Sequence, residues 1–282
     1  MDELLFVDST FEKDNTSRFE LSIQLCLDGF SFSILSEDQD CLALFKSKSL
    51  NSDSENISID ALKESIRNCE FLNLSYNKVS MLWLTRKASL IPSDLFSEAL
   101  AIDSFQLCHP LSKDESLLWN ELKDLNAYLV YALPSALPDF IESQFPGIKI
   151  FHQSFSFYQE ALKQTLNSKH PKVHVQIYDH FFDVIIPDKD QKHFINSFTY
   201  KDETDMVYFI LNIYKQHKLN SEYSQLLLSG KIDEHGKAVQ LLKKYIKEIE
   251  IENMPGGLLL KNTLPNSEYN QFTKLLNTNR CE

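Results

Sequence analysis

The sequence contains no GxxxxGKS, GxxxxGKT or GxGxxG phosphate signature and no GxSxG nucleophile motif. Neither a P-loop, a dinucleotide fingerprint nor a hydrolase triad can therefore be argued from it. Its five cysteines, Cys26, Cys41, Cys69, Cys108 and Cys281, form no CxxC pair. That argues against a zinc knuckle and a dithiol redox couple, and the thiols read as small buried hydrophobes. No run of lysine or arginine interrupts an acidic balance of formal net charge −12; attraction to a phosphate backbone is opposed overall, and nucleic acid is not an expected partner. No apolar stretch approaches the roughly 18 residues that a spanning helix requires. The opening MDELLFVDST is acidic where a secretory signal would be basic. The expectation is a cytoplasmic protein with no membrane insertion.

What is present is 282 residues, 43% of them hydrophobic, enough to bury one large core or two modest ones. Leu21, Ile23, Leu25 and Leu27 alternate with polar residues, and Phe30, Phe32 and Ile34 resume the alternation in opposite parity. This pattern is a hairpin. With Asp28-Gly29 as a two-residue type I′ loop, the opposed pairs are Leu27 with Phe30, Leu25 with Phe32 and Ile23 with Ile34, which gathers the large apolar side chains on one face. A third strand follows from Cys41 to about Ser47.

A shift of 152 positions carries this meander onto VHVQIYDHFFDVII, Val173 to Ile186, and CLALFKS onto HFINSFT. After each meander comes a helical pattern, DALKESIRNCEFL behind Ser58 or Asp60, and DETDMVYFILNIYKQH behind Thr204 or Asp205. In the first half KVSMLWLTR and a helix near PSDLFSEALA read as part of an inserted subdomain, and the main pattern returns with AYLVYALP. The second half continues through SQLLLSG, HGKAVQLLKKYIKE and IEIEN, and NSEYNQFTKLL reads as a last helix. Each half thus reads βββαβαβ, a mixed five-stranded sheet flanked by helices, in an α/β protein of two lobes. The expected domains are 1–167, with an insert at about 78–123, and 168–282, the boundary falling in LNSKHPK.

This order of elements resembles the duplicated ribonuclease-H-like architecture of the actin, hexokinase and Hsp70 superfamily. More closely, LSIQLCLDGFSFSIL, AYLVYALP, IKIFHQSFSFYQEAL and QLLLSGKIDE resemble an uncharacterised bacterial family, domain of unknown function 3822, associated with the actin-like ATPase fold. The resemblance implies ATP with magnesium in a cleft between lobes. It carries candidate contacts onto Asp28, Gly29 and Ser31 in the first phosphate loop, Asp179 in the second, and Ser229 and Gly230 in the adenosine motif. The motifs are degenerate. Asp28 adjoins Gly29 with no residue between, Phe30 replaces a small hydroxyl, Tyr178-Asp179-His180-Phe181-Phe182 has no glycine, and Lys231 follows Gly230. A two-residue Asp-Gly turn also leaves little concavity for a triphosphate.

Other candidates read as structural. Pro171 and the strand starting at Val173 keep His170 and His174 from pairing as ligands. His180 and Asp183 read as a polar pair at a strand end, and Pro255-Gly256-Gly257 as a turn. Twenty phenylalanines and eleven tyrosines are mostly core, with FHQSFSFYQ and DHFFDV as places where aromatics could anchor a protein contact. The functional expectation is a non-catalytic scaffold or regulatory protein-binding module, open to oligomerisation and needing no cofactor. The alternative is a divergent ATP-binding protein or ATPase.

Overall fold

Alternating strands that bury one face need helices to cover it, and two such assemblies form here. The computed structural model describes residues 4–26, 29–47, 59–166, 168–187, 193–252, 272 and 275–276. They fall into two compact units: one holds the described residues up to Phe155 with Leu275 and Leu276, the other those from Ser156 onward with Phe272.

In the first unit β1 (Leu4–Val7), β2 (Glu20–Cys26), β3 (Gly29–Leu35) and β4 (Cys41–Lys46) precede α1 (Ile59–Asn68) and β5 (Lys78–Trp83). Next come β6 (Ala88–Pro92), α2 (Glu98–Gln106), β7 (Glu115–Leu122) and β8 (Ala127–Pro134), then α3 (Leu137–Gln144) and β9 (Lys149–His152). The main sheet has the order β1-β4-β3-β2-β5-β9, with β2, β5 and β9 parallel. Leu21, Ile23, Leu25, Phe32 and Ile34 point to one face, where Leu62 and Ile66 of α1 and Leu137, Phe140 and Ile141 of α3 close the core. Each such side chain, fully buried, contributes about 1.5–3 kcal/mol.

The helix α4 (Gln153–Leu166) spans the division between the units. The second unit continues with β10 (Lys172–Ile177), β11 (Phe181–Ile186), β12 (Phe194–Thr199), α5 (Glu203–Gln216), β13 (Gln225–Gly230), α6 (Lys237–Leu242) and β14 (Ile249–Ile251). Its sheet order, β12-β11-β10-β13-β14, repeats β4-β3-β2-β5-β9 strand for strand. The first sheet has six strands rather than five because β1 adds itself to the β4 edge.

The repeat extends to the register. Leu25 opposes Phe30 and, 152 positions on, Ile177 opposes Phe182. The expected pairing of the first hairpin is corrected by two: Cys26 opposes Gly29, Ile23 opposes Phe32 and Leu21 opposes Ile34. The residues between the last described pair are thus 27 and 28, not Asp28 and Gly29. Such a shift changes no side chain's face, so alternation could not detect it. The third strand repeats with a one-residue offset. Phe32 opposes Phe45, whereas Val184 opposes Asn196, because the β3–β4 ladder is irregular between Ile34 and Leu35.

Sheet membership corrects a second expectation. KVSMLW is β5, a central strand of the main sheet, and AYLVYALP is β8, the middle of a three-stranded sheet β6-β8-β7. Both are apolar strands with two paired neighbours, so composition does not tell them apart. The small sheet packs Ile91, Val130 and Ala132 against Phe105 of α2. The cap of α5 is Asp202, upstream of the expected Thr204 or Asp205; its Oδ1 accepts the backbone N–H of Thr204 at 2.7 Å and of Asp205 at 3.0 Å. Those bonds hold the Asp202 carboxyl below its ordinary range. Ser58, the Pro255-Gly256-Gly257 turn and most of the last expected helix lie outside the described residues. Among the described residues no helix is long and apolar enough to cross a membrane.

Candidate functional site

In open sheets with parallel strands, ligands bind at the carboxyl ends of those strands. In the second unit these ends belong to β10 and β13, where Ile177 lies opposite Gly230. Tyr178 donates its N–H to the Phe181 carbonyl at 2.9 Å, which leaves Asp179 and His180 as a two-residue turn. The Tyr178 and Phe181 rings stack with centroids 4.5 Å apart, and the Tyr200 hydroxyl donates to the Tyr178 carbonyl at 2.6 Å. Asp179 forms an ion pair with Lys231. Three of the expected residues, Asp179, Ser229 and Gly230, therefore do share one neighbourhood.

Their chemistry is directed inward. Ser229 Oγ lies 2.6 Å from Gln176 Oε1 and 3.2 Å from the Val175 carbonyl, and one proton serves this pair of acceptors. Gly230 adopts φ +87°, and a Cβ there would stand 2.1 Å from the Ile177 carbonyl oxygen and 2.7 Å from Gln176 Nε2. The glycine is required by its own neighbouring strand. A polyphosphate needs convergent, unoccupied N–H and hydroxyl donors. Here the Ser229 hydroxyl is engaged, the Lys231 N–H donates to the Ile177 carbonyl at 2.9 Å, and the turn presents a carboxylate. The described residues of this edge do not fit the group.

In the first unit the corresponding edge holds Gly29, the first residue of β3, whose carbonyl accepts from Cys26 Sγ at 3.3 Å. Ser31 lies two residues further in, opposite Gln24, and is buried. Asp28 lies outside the described residues. The ends of β5 and β9 are tied by a polar clamp that sequence reasoning did not single out. His152 Nε2 lies 2.9 Å from the Thr85 carbonyl while Nδ1 accepts the Ser154 N–H at 3.1 Å, an arrangement that calls for the neutral Nε2–H tautomer. The Gln153 amide both donates to the Thr85 carbonyl at 2.8 Å and accepts its N–H at 3.1 Å. Asn120 of β7 accepts the His152 N–H at 2.8 Å and donates to the Ile150 carbonyl at 3.0 Å, coupling the small sheet to β9. Burial lowers the His152 pKa to about 3, against the opposing pull of the Thr85 carbonyl.

Asp183 is not a strand-end partner of His180. It is fully buried in β11, opposite Gln176 and Ser197, and accepts from Ser197 Oγ at 2.5 Å. Ser197, Asp183, Gln176 and Ser229 form one polar row across four strands. A polar residue inside FFDVII and VHVQI was the signal for it. The nearby Tyr178 hydroxyl is buried without a hydrogen-bond partner among the described residues, and burial together with the Asp183 charge raises its pKa well above the ordinary value.

His174 is buried with Nε2 3.0 Å from Thr165 Oγ1, whereas His170 stacks near Tyr223. Among the described residues no group of three or more His, Cys, Asp and Glu side chains could hold a metal ion. Cys41 and Cys108 are free thiols, and burial pushes Cys41 up to about 12. Composition alone also did not show where apolar side chains remain exposed. Leu90, Leu95, Leu100, Ile102 and Leu107, five of the eleven exposed large hydrophobics among the described residues, lie in or beside the small sheet and α2.

The fold matches solved structures. A protein of actin-like ATPase fold and unknown function from Bacteroides thetaiotaomicron is 25% identical, with a TM-score of 0.76 over 86% of this chain and 94% of that one. The PilM-PilN type IV pilus biogenesis complex matches with a TM-score of 0.59 at 13% identity, over 93% of this chain and 98% of that one. The architecture is therefore that of the actin-like ATPases. No curated protein matches the sequence. The family model described as "Protein of unknown function (DUF3822)" matches residues 8–249, and the chain belongs to that family.

Proposed function

We propose that this protein is a non-catalytic binding module of the bacterial cytoplasm that holds a protein partner on its small three-stranded subdomain. The observation that carries this reading is the exposure of apolar side chains there. α2 buries Ala101 and Phe105, while Leu100 within it and Leu107 at its C-cap are 53% and 87% exposed. These two share a helix face, since seven residues make close to two turns. Asp103 lies between them at helical spacing, and it and the preceding Asp94 and Glu98 are exposed. Exposed apolar anchors with a polar rim are the anatomy of a protein interface. The partner this chemistry suits is a segment with apolar anchors and basic flanks. A like fold occurs in the PilM-PilN complex, so the architecture is compatible with such use.

The nucleotide alternative would draw on Asp28, Gly29, Ser31, Asp179, Ser229 and Gly230. The inward engagement of Ser229 and the crowding at Gly230 weigh against it. The test combines two measurements on the full chain. Photo-crosslinking from positions 100 and 107 in the native cell should trap one defined partner, and Leu100→Glu with Leu107→Glu should release it while leaving the unfolding midpoint unchanged. Thermal unfolding with millimolar MgATP should show no shift. Ligand at a hundredfold over its Kd would stabilise the fold by about 2.7 kcal/mol, and such a shift with ATP turnover would overturn the reading.

A further inference from the structure

The second unit carries a cleft of about 700 Å3 at the sheet edge opposite the Asp179–His180 turn, a size that accommodates a small organic molecule. Its walls come from the end of α4, the connection leading into β10, the end of β11 and the connection from α5 to β13. The chain carries 40 acidic and 28 basic residues, yet the described residues lining this cleft include Lys169, His170, His217 and Lys218 and no carboxylate. Two lysines with no carboxylate among the described lining residues favour a positive local field in an otherwise acidic protein, against the partial negative charge at the C-terminal ends of α4 and α5. Tyr223, 61% exposed, adds an aromatic face.

Lys218 supplies a second, independent observation. α5 ends in a complete Schellman motif, with the Leu219 N–H bonded to the Tyr214 carbonyl at 2.9 Å and the Lys218 N–H to the Lys215 carbonyl at 3.2 Å. The residue between these bonds must be left-handed, and it is Lys218, at φ +53°. Glycine is the residue this position favours. Complementing the helix dipole does not explain the lysine, since Lys215 already occupies the last turn. A lysine in a strained backbone position that lines a cleft points to a use for its side chain.

We propose that this cleft binds a small organic anion, a phosphate or carboxylate joined to an aromatic ring, with Lys169 and Lys218 meeting the charge and Tyr223 the ring. The test is calorimetric titration of the full chain with phenyl phosphate, with benzoate and with uncharged benzyl alcohol. Saturable one-to-one binding of phenyl phosphate or benzoate is expected, and none of benzyl alcohol. The preferred anion identifies the head group. Lys169→Ala and Lys218→Gly should each weaken binding at least about tenfold, whereas Lys201→Ala, outside the cleft, should not. Lys218→Gly should unfold at the same temperature as the parent or higher, because glycine relieves the left-handed backbone; lost binding with retained stability separates a ligand role from a structural one. The proposal is overturned if neither anion binds at about 10 mM, if benzyl alcohol binds as well as they do, or if Lys218→Gly binds as tightly as the parent.

Discussion

His152 makes the stability of the first unit depend on pH in a way that one substitution can isolate. The residue is 1% exposed, and its ring donates to the Thr85 carbonyl, accepts from Ser154 and packs on Tyr131 with centroids 5.2 Å apart. Burial lowers its pKa from 6.5 to about 3. The folded chain therefore keeps the imidazole neutral where the unfolded chain takes up a proton. The contribution is fully present above the unfolded value and is lost progressively as pH falls towards the folded one. From about pH 7 to about pH 4.5 the loss amounts to about 2–3 kcal/mol. His152→Gln keeps a donor for Thr85 and cannot titrate. It should be less stable at neutral pH by about 1–3 kcal/mol, for the lost acceptor and packing. Its deficit should shrink by about 2–3 kcal/mol on acidification, because every carboxylate contributes equally to both proteins. Urea unfolding followed by tryptophan fluorescence reads this out, since Trp83 is buried and lies opposite His152 in the β5–β9 ladder. A deficit that stays constant with pH would refute the claim that burial holds this ring neutral.

Two further substitutions test the second unit. Gly230→Ala places a Cβ 2.1 Å from the Ile177 carbonyl oxygen at a positive φ, and should destabilise by about 3 kcal/mol or more in urea without any nucleotide present; a tolerated alanine would return that glycine to a ligand role. Tyr178→Phe removes a buried hydroxyl with no partner among the described residues, and should leave the urea midpoint unchanged or raise stability by about 1 kcal/mol; a clear loss would reveal a partner for that hydroxyl.

Much of the fold was legible because alternation is a local property. Leu21, Ile23, Leu25, Phe32 and Ile34 all occupy the core face assigned to them, and the repeat at 152 positions reappears as two sheets of the same strand order. The candidate site was legible in part. Asp179, Ser229 and Gly230 lie in one neighbourhood, and why Gly230 is glycine depends on the Ile177 carbonyl, 53 positions away in the chain.

Residue periodicity by itself determined which side chains face inward, that the meander and its succeeding helix and strands occur twice, and that helices cover mixed sheets. Tertiary structure alone decided the hairpin register, since moving a pair by two residues exposes nothing new, and the sheet that β5 and β8 each join, since both are apolar strands with two neighbours. It also decided where polarity is engaged and where it is left over. The Thr85–His152 clamp joins residues 67 positions apart, and the basic cleft draws its walls from between Thr165 and Ser224. Such sites are made by chain crossings, and their spacing leaves no periodic trace in the sequence.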